Sequence, residues 1–174
     1  MAVSGIVGIV SDTHGFLHPA LPEAMAGVDI ILHAGDVGRI EIIDELQLVA
    51  PVHGVSGNID GWDIRASLPE DLEITVAGVT FWMTHIGGRP GRWSPGIRDQ
   101  IVDRAPDIFV CGHSHILKIE RTDNPRKVLH INPGAAGRQG LHQVKTCVRL
   151  TIKNSRPSKV DVIHLDKDVL IPVY

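Results

Sequence analysis

The residues of this 174-residue chain best equipped for chemistry sit where apolar runs end. Residues 5–10 run into Ser11-Asp12-Thr13-His14-Gly15, and a second apolar run closes on His33-Ala34-Gly35-Asp36. A third closes on Gly57-Asn58, and later ones on Thr84-His85 and Gly112-His113-Ser114-His115. These ends deliver two carboxylates (Asp12, Asp36), one amide (Asn58) and four imidazoles (His14, His85, His113, His115). All are lone-pair donors to a hard or borderline cation, and none is a thiolate. Histidine is the commonest metal ligand, and the chain holds ten of them beside only three Phe, three Trp and one Tyr. Seven donors exceed what one ion can use. In an extended segment residues i and i+2 face the same way, so Asp12 is expected to converge with His14, and His113 with His115, as side-by-side pairs.

Parallel strands can bring such ends together, because in open α/β sheets ligands bind beyond the carboxyl ends of the strands. The first third alternates β-branched runs (5–10, 28–33, 52–55) with amphipathic stretches (19–26 and 39–49), the pattern of β-α-β units. Pro19 suits a first helical turn, and Ile40, Ile43, Leu46 and Val49 recur at helical spacing. Further on, 72–76 and 79–84 read as strands around an Ala77-Gly78 hairpin turn. Residues 97–105 read as a helix ending before Pro106, and 108–111 as a strand. The runs 116–121 and 127–131 flank a turn at Asp123-Asn124-Pro125, and 144–152 and 160–165 read as closing strands. The alternating first half and strand-rich second half predict an α/β fold of two packed sheets with helices outside. Residues 1–174 are expected to form one domain, which this length suits.

A net charge of −3 with scattered Lys and Arg disfavours extended nucleic-acid binding. No apolar run approaches the ~18 residues of a membrane span, and the opening run leads into Ser11-Asp12 rather than a cleavage site. No membrane association and a cytoplasmic location are expected. Cys111 and Cys147 lie in strand-like runs and read as buried free thiols.

The ordered set Asp12-x-His14, Gly35-Asp36, Gly57-Asn58, His85 and Gly112-His113-x-His115 resembles the calcineurin-like metallophosphoesterases, and the short length is similar to their YfcE-like phosphodiesterase subgroup. The resemblance runs from Gly5 to about Arg138 and includes Asn132-Pro133-Gly134, with Ala135 where that subgroup has serine. It implies a four-layer α/β/β/α sandwich of two mixed sheets flanked by helices. It further implies two divalent ions per chain, manganese foremost, with zinc, iron, nickel or cobalt as alternatives. One ion would be held by Asp12, His14, Asp36 and His115, the other by Asp36, Asn58, His85 and His113, with Asp36, Asn58 and His85 closest to the chemistry. The implied reaction is hydrolysis of a small phosphate ester, foremost a diester, by in-line attack of a hydroxide bridging the ions. The same fold serves as a scaffold in the retromer sorting subunit, which has a damaged metal site and binds protein partners. A silent scaffold is therefore the alternative function, and a homodimer is a possible assembly.

Two departures bear on substrate. Many relatives follow Gly-Asn with a histidine thought to protonate the leaving group, whereas Ile59 stands here. Loss of a general acid, worth roughly 10²–10⁴-fold, predicts a preference for good leaving groups. After His85 the chain reads Ile86-Gly87-Gly88-Arg89-Pro90-Gly91-Arg92. Arg138, Arg89 and Arg92 are candidate phosphate clamps, because guanidinium matches phosphate in a bidentate way. Trp62, Trp82 and Trp93 are expected in the core or at a rim, with base stacking as the competing role. His33 is expected to be buried, either bonded to a backbone carbonyl or supporting the site. His18, His53, His130, His142 and His164 match no ligand position and are assigned to surface or core.

Overall fold

The computed structural model describes residues 3–166 and the backbone of residues 169–172. The β-branched run β1 (Gly5–Val10) sits between β2 (Ile30–His33) and β11 (Thr146–Lys153) in a six-stranded sheet of order β13-β12-β11-β1-β2-β3. Here β3 is Val52–Gly54, β12 is Arg156–His164 and β13 is Val169–Pro172. β1, β2 and β3 run parallel and the rest of that sheet is antiparallel. The second sheet has the order β4-β5-β8-β10-β9, formed by β4 (Asp71–Val76), β5 (Val79–Thr84), β8 (Ile108–Val110), β10 (Val128–Asn132) and β9 (Lys118–Thr122). β5, β8 and β10 are mutually parallel. Each sheet therefore contributes three parallel strands.

Apolar side chains bury most when both sheet faces are covered, and three clusters separate the layers. Val7, Ile9 and Leu32 of the first sheet meet Phe81, Val110 and Ile131 of the second. On the first sheet's outer face, Val10 and Ile31 pack against Leu21, Ile42, Leu46 and Ile64. Those four belong to α1 (Leu21–Ala24), α2 (Glu41–Gln47) and α3 (Trp62–Ser67). Beyond the second sheet, Trp82 and Phe109 pack against Ile97 and Ile101 of α4 (Ile97–Arg104). The result is the four-layer α/β/β/α sandwich.

Local chemistry sets the element ends. Ala77 and Gly78 both have positive φ (49° and 78°), as a tight two-residue hairpin requires. Pro106 disfavours helical geometry at Ala105, which closes α4 in the left-handed region with its N–H donating to the Ile101 carbonyl. The helix read at 19–26 shortens to α1 and the one at 39–49 to α2. The sequence reading does not contain α3, β13 or the hairpin of β6 (Gly88–Arg89) and β7 (Arg92–Trp93).

Candidate metal centre

Because β1, β2, β3, β5 and β8 are parallel within their sheets, their carboxyl ends carry the loops of all seven predicted ligands. The loops are tied edge to edge. Asp12 N–H donates to the Gly35 carbonyl and His14 N–H to the Asp36 carbonyl, both at 3.0 Å. Gly112 N–H donates to the His85 carbonyl at 2.9 Å, and the Gly137 N–H reaches the Asp12 carbonyl from the loop after β10.

Of the two expected pairs, Asp12 and His14 share a group, reached by a different route from the one expected, whereas His113 and His115 separate into different groups. Asp12, His14, Asp36, His113 and His115 all have left-handed backbones, with φ between 48° and 67°, and they make up five of the nine described non-glycine residues with positive φ. They are turns, not extended segments. Each such residue costs roughly 1–2 kcal/mol, and strain of this kind gathers at functional sites. Glycine is required beside them. A Cβ at Gly35, itself at φ 91°, would lie 2.7 Å from His85 Nδ1, and one at Gly57 would collide with the Asp36 carboxylate.

The side chains form two groups. Asp12, His14 and His115 make one and Asp36, His85 and His113 the other, each with ligand atoms within 4.8 Å of one another. In the first, His14 Nε2 and His115 Nε2 face each other at 3.0 Å, and Asp12 Oδ1 is 3.3 Å from His115 Nε2. In the second, Asp36 Oδ2 is 3.2 Å from His85 Nε2. The same oxygen lies 3.8 Å from His14 Nε2, so Asp36 touches both groups. Asn58 is exposed, and lines the same depression as His85 on the rim.

The donors fit a cation. His85 Nδ1 lies 2.8 Å from the Ala34 carbonyl; a proton there leaves a lone pair on Nε2. That nitrogen is buried without a hydrogen-bond partner despite its closeness to Asp36. Two ligands about 2.1 Å from one ion at tetrahedral or octahedral angles are roughly 3–3.4 Å apart, the spacing of the His14 and His115 nitrogens. Burial pushes the Asp36 carboxyl up, but the His85 ring and the Ile59 amide outweigh it and hold the group below its usual value. Burial pushes His85 down, and Asp36, Asp12 and the Ala34 carbonyl reverse this. The Asp12 carboxylate raises His115, whereas burial lowers His14.

Several residues that hold this arrangement had no signal in the sequence. Buried Asp60 accepts the Gly38 N–H on Oδ1 (2.8 Å) and the Gly57 N–H on Oδ2 (2.7 Å), stapling the Asp36 loop to the Asn58 loop. Arg65 of α3 donates to the Gly57 and Asn58 carbonyls. Asn132, noted only within the Asn-Pro-Gly element, donates to the Gly112 carbonyl (2.8 Å) and contacts Ser114 Oγ (3.1 Å), fixing the His113 loop. His33 is buried, and its partners are the Gly35 N–H and the Thr13 hydroxyl rather than a carbonyl. His142, assigned to surface or core, sets its ring edge against His115 at 5.1 Å.

The arginines divide. Arg138 stacks its guanidinium 3.7 Å over the Phe16 ring, while Arg89 and Arg92 line a cavity that reaches His113. Trp82 is buried, Trp93 lines that cavity, and Trp62 is 84% exposed, outside any core. Both cysteines are free and buried, with burial pushing each thiol up to about 12.

Comparison with known proteins places the chain and its fold in a class. Residues 6–155 match the calcineurin-like phosphoesterase superfamily domain, and the chain belongs to that family. A probable metallophosphoesterase of Methanothermobacter thermautotrophicus is 25% identical over 170 residues, covering 95% of this chain and 91% of the relative. One from Methanocaldococcus jannaschii is 29% identical over 138 residues, covering 75% and 67%. Among solved structures, a predicted phosphoesterase of Streptococcus pneumoniae superposes with a TM-score of 0.72 at 22% identity, covering 97% of this chain and 98% of that one. Vacuolar Protein Sorting 29 of Cryptosporidium parvum superposes with a TM-score of 0.80 at 19% identity, covering 98% and 96%. Members of this family use divalent metals, and the two side-chain groups are two possible sites. No helix among the described residues is long and apolar enough to cross a membrane.

Proposed function

We propose that the chain is a two-metal phosphodiesterase, in which Asp12, His14, Asp36 and His115 hold one divalent ion and Asp36, Asn58, His85 and His113 the other. One observation carries this reading: a single Asp36 oxygen lies between His14 at 3.8 Å and His85 at 3.2 Å, so one carboxylate serves both groups. A pair of divalent ions supplies Lewis acidity, lowering the pKa of water and drawing charge from phosphoryl oxygens. Manganese is the foremost occupant; mixed oxygen and imidazole donors also suit zinc, iron, nickel and cobalt.

The chain's own part is position. The Ala34 carbonyl fixes the His85 tautomer, and the Ile59 amide holds Asp36 Oδ1 at 3.1 Å. Asp60, His33 and Asn132 keep the ligand loops in register. No side-chain proton donor stands at Ile59, which is half-exposed on the rim beside Asn58, so aryl diesters should turn over far faster than alkyl diesters. The buried, raised thiol of Cys111 offers no nucleophile, and direct attack by water fits the residues present. His85 and His115 hold their protons to higher pH than a free imidazole; those protons must leave before the lone pairs bind metal. Metal affinity should therefore rise as pH increases above about 6.5.

The fold shared with Vacuolar Protein Sorting 29 keeps a scaffold as the second reading. Chelated protein assayed on aryl phosphodiesters and monoesters with each metal restored separates the two. The enzyme reading expects diester hydrolysis that returns with metal, and the scaffold reading expects none with any metal.

A further inference from the structure

Beyond His113 lies a cavity of about 360 Å³, bounded on one side by the β6–β7 hairpin and on the other by the His113 loop and β10. Its size is at the small end for ligand pockets, room for one ring-bearing group but not for a polymer. Ile86, Trp93 and Ile116 give it apolar walls, and Ile116 is 67% exposed although it follows the predicted ligand His115. Its charged lining residues are Arg89, Arg92 and Lys118, and it has no carboxylate among the described lining residues.

The two arginines are the informative pair. They sit directly opposite each other across the hairpin, which puts both side chains on one face, where like charges repel. Neither makes an ion pair or a side-chain hydrogen bond among the described residues. Glu120, whose carboxyl senses Arg89, is already held by Lys118. The hairpin is nevertheless built rigidly. Gly87 packs so closely on Phe109 and Cys111 that a Cβ there would lie 2.6–2.7 Å from their atoms. Ser94 N–H closes the hairpin on the Gly87 carbonyl, and His130 Nε2, beneath it, lies 3.2 Å from the Gly88 carbonyl. The fixed frame sets Arg89 and Arg92 opposite each other on one face of the hairpin, an arrangement suited to clamping an anion between two guanidiniums.

We infer that this cavity is a second substrate subsite, in which Trp93, Ile86 and Ile116 receive a ring on the organic group of the phosphate ester and Arg89 with Arg92 hold an additional anion borne by that group. The inference rests on the phosphodiesterase reading of the adjoining site and specifies its substrate class: a diester with a ring-bearing substituent that carries a second negative charge.

Two matched probes test it: phenyl 4-nitrophenyl phosphate, and the same diester with a carboxylate at the para position of the phenyl ring. In manganese-loaded wild-type protein the carboxylated diester should have a kcat/KM about tenfold higher, chiefly through KM, and raising salt from 0.05 to about 0.5 M should erode the preference. In R89Q/R92Q the ratio between the probes should fall to about one. A ratio near one in wild type, or one unchanged in the double variant, would overturn the subsite. A calorimetric arm needs no turnover: 4-carboxyphenylphosphonate should bind wild type about tenfold tighter than phenylphosphonate, and R89Q/R92Q should lose that difference. Failure to hydrolyse either diester with any metal counts against the phosphodiesterase reading alone, and calorimetry then decides the subsite. Equal binding of the two phosphonates by wild type counts against the clamp.

Discussion

Asp36 carries more of the site than any other side chain, since it contacts both ligand groups and accepts the Ile59 N–H. Its type and its place after Gly35 were legible in the sequence, as were the other five side chains of the two groups, because each lies where an apolar run ends; Asn58 lies exposed on the rim beside His85. The residues that hold the donors were not legible. Asp60 binds Gly38, 22 positions away, and Asn132 binds Gly112, 20 positions away, so their roles exist only after folding. Asp60→Ala leaves two backbone N–H groups without their acceptor. Such losses cost roughly 1–3 kcal/mol each when buried, and disturbing a ligand's support costs 10–100-fold in metal affinity or activity. Asp60→Ala is thus expected to lower both the unfolding midpoint and manganese affinity, whereas an unchanged affinity would deny it a positioning role. Ile59→His should restore a proton donor and speed alkyl diesters by up to about a hundredfold; leaving-group dependence measured over a series of esters checks this.

At the level of elements, β1 was readable with both its ends and α4 to within one residue, whereas the helices read at 19–26 and 39–49 lose residues at both ends to α1 and α2. α3 was hidden by the turn-rich Gly57–Gly61 stretch before it, and the β6–β7 hairpin by strands of two residues, too short for any period. Left-handed backbones at the ligands leave no mark in residue type beyond the neighbouring glycines. β10 illustrates how one element serves both core and site. His130 lies 1% exposed beneath the hairpin, and burial lowers its pKa from 6.5 to about 4. The folded state therefore holds the neutral ring. Its contribution is intact above pH 6.5 and is lost as pH falls toward 4, by at most roughly 3 kcal/mol. Urea midpoints measured from pH 7 to pH 4.5 should fall more steeply in wild type than in His130→Gln; parallel curves would show that the ring is not buried neutral.

For the whole molecule, three apolar layers hold two sheets so that six parallel strands, three from each sheet, direct their carboxyl ends to one rim. That geometry makes folding and metal binding one linked equilibrium, since ions that bind only the folded chain stabilise it by RT ln(1 + [L]/Kd), about 2.7 kcal/mol at 100 times Kd. Chelation should accordingly lower Tm and added manganese should restore it. An identical Tm with and without metal would mean that the two groups bind nothing.

The shared carboxylate is tested most directly by titrating manganese calorimetrically into chelated wild-type protein and into Asp36→Asn, a substitution compatible with the left-handed backbone at that position. Two ions per wild-type chain, with both binding events weakened at least tenfold in the variant, are the predicted result. A single ion per chain, or two whose affinities do not respond to the loss of Asp36, would contradict it.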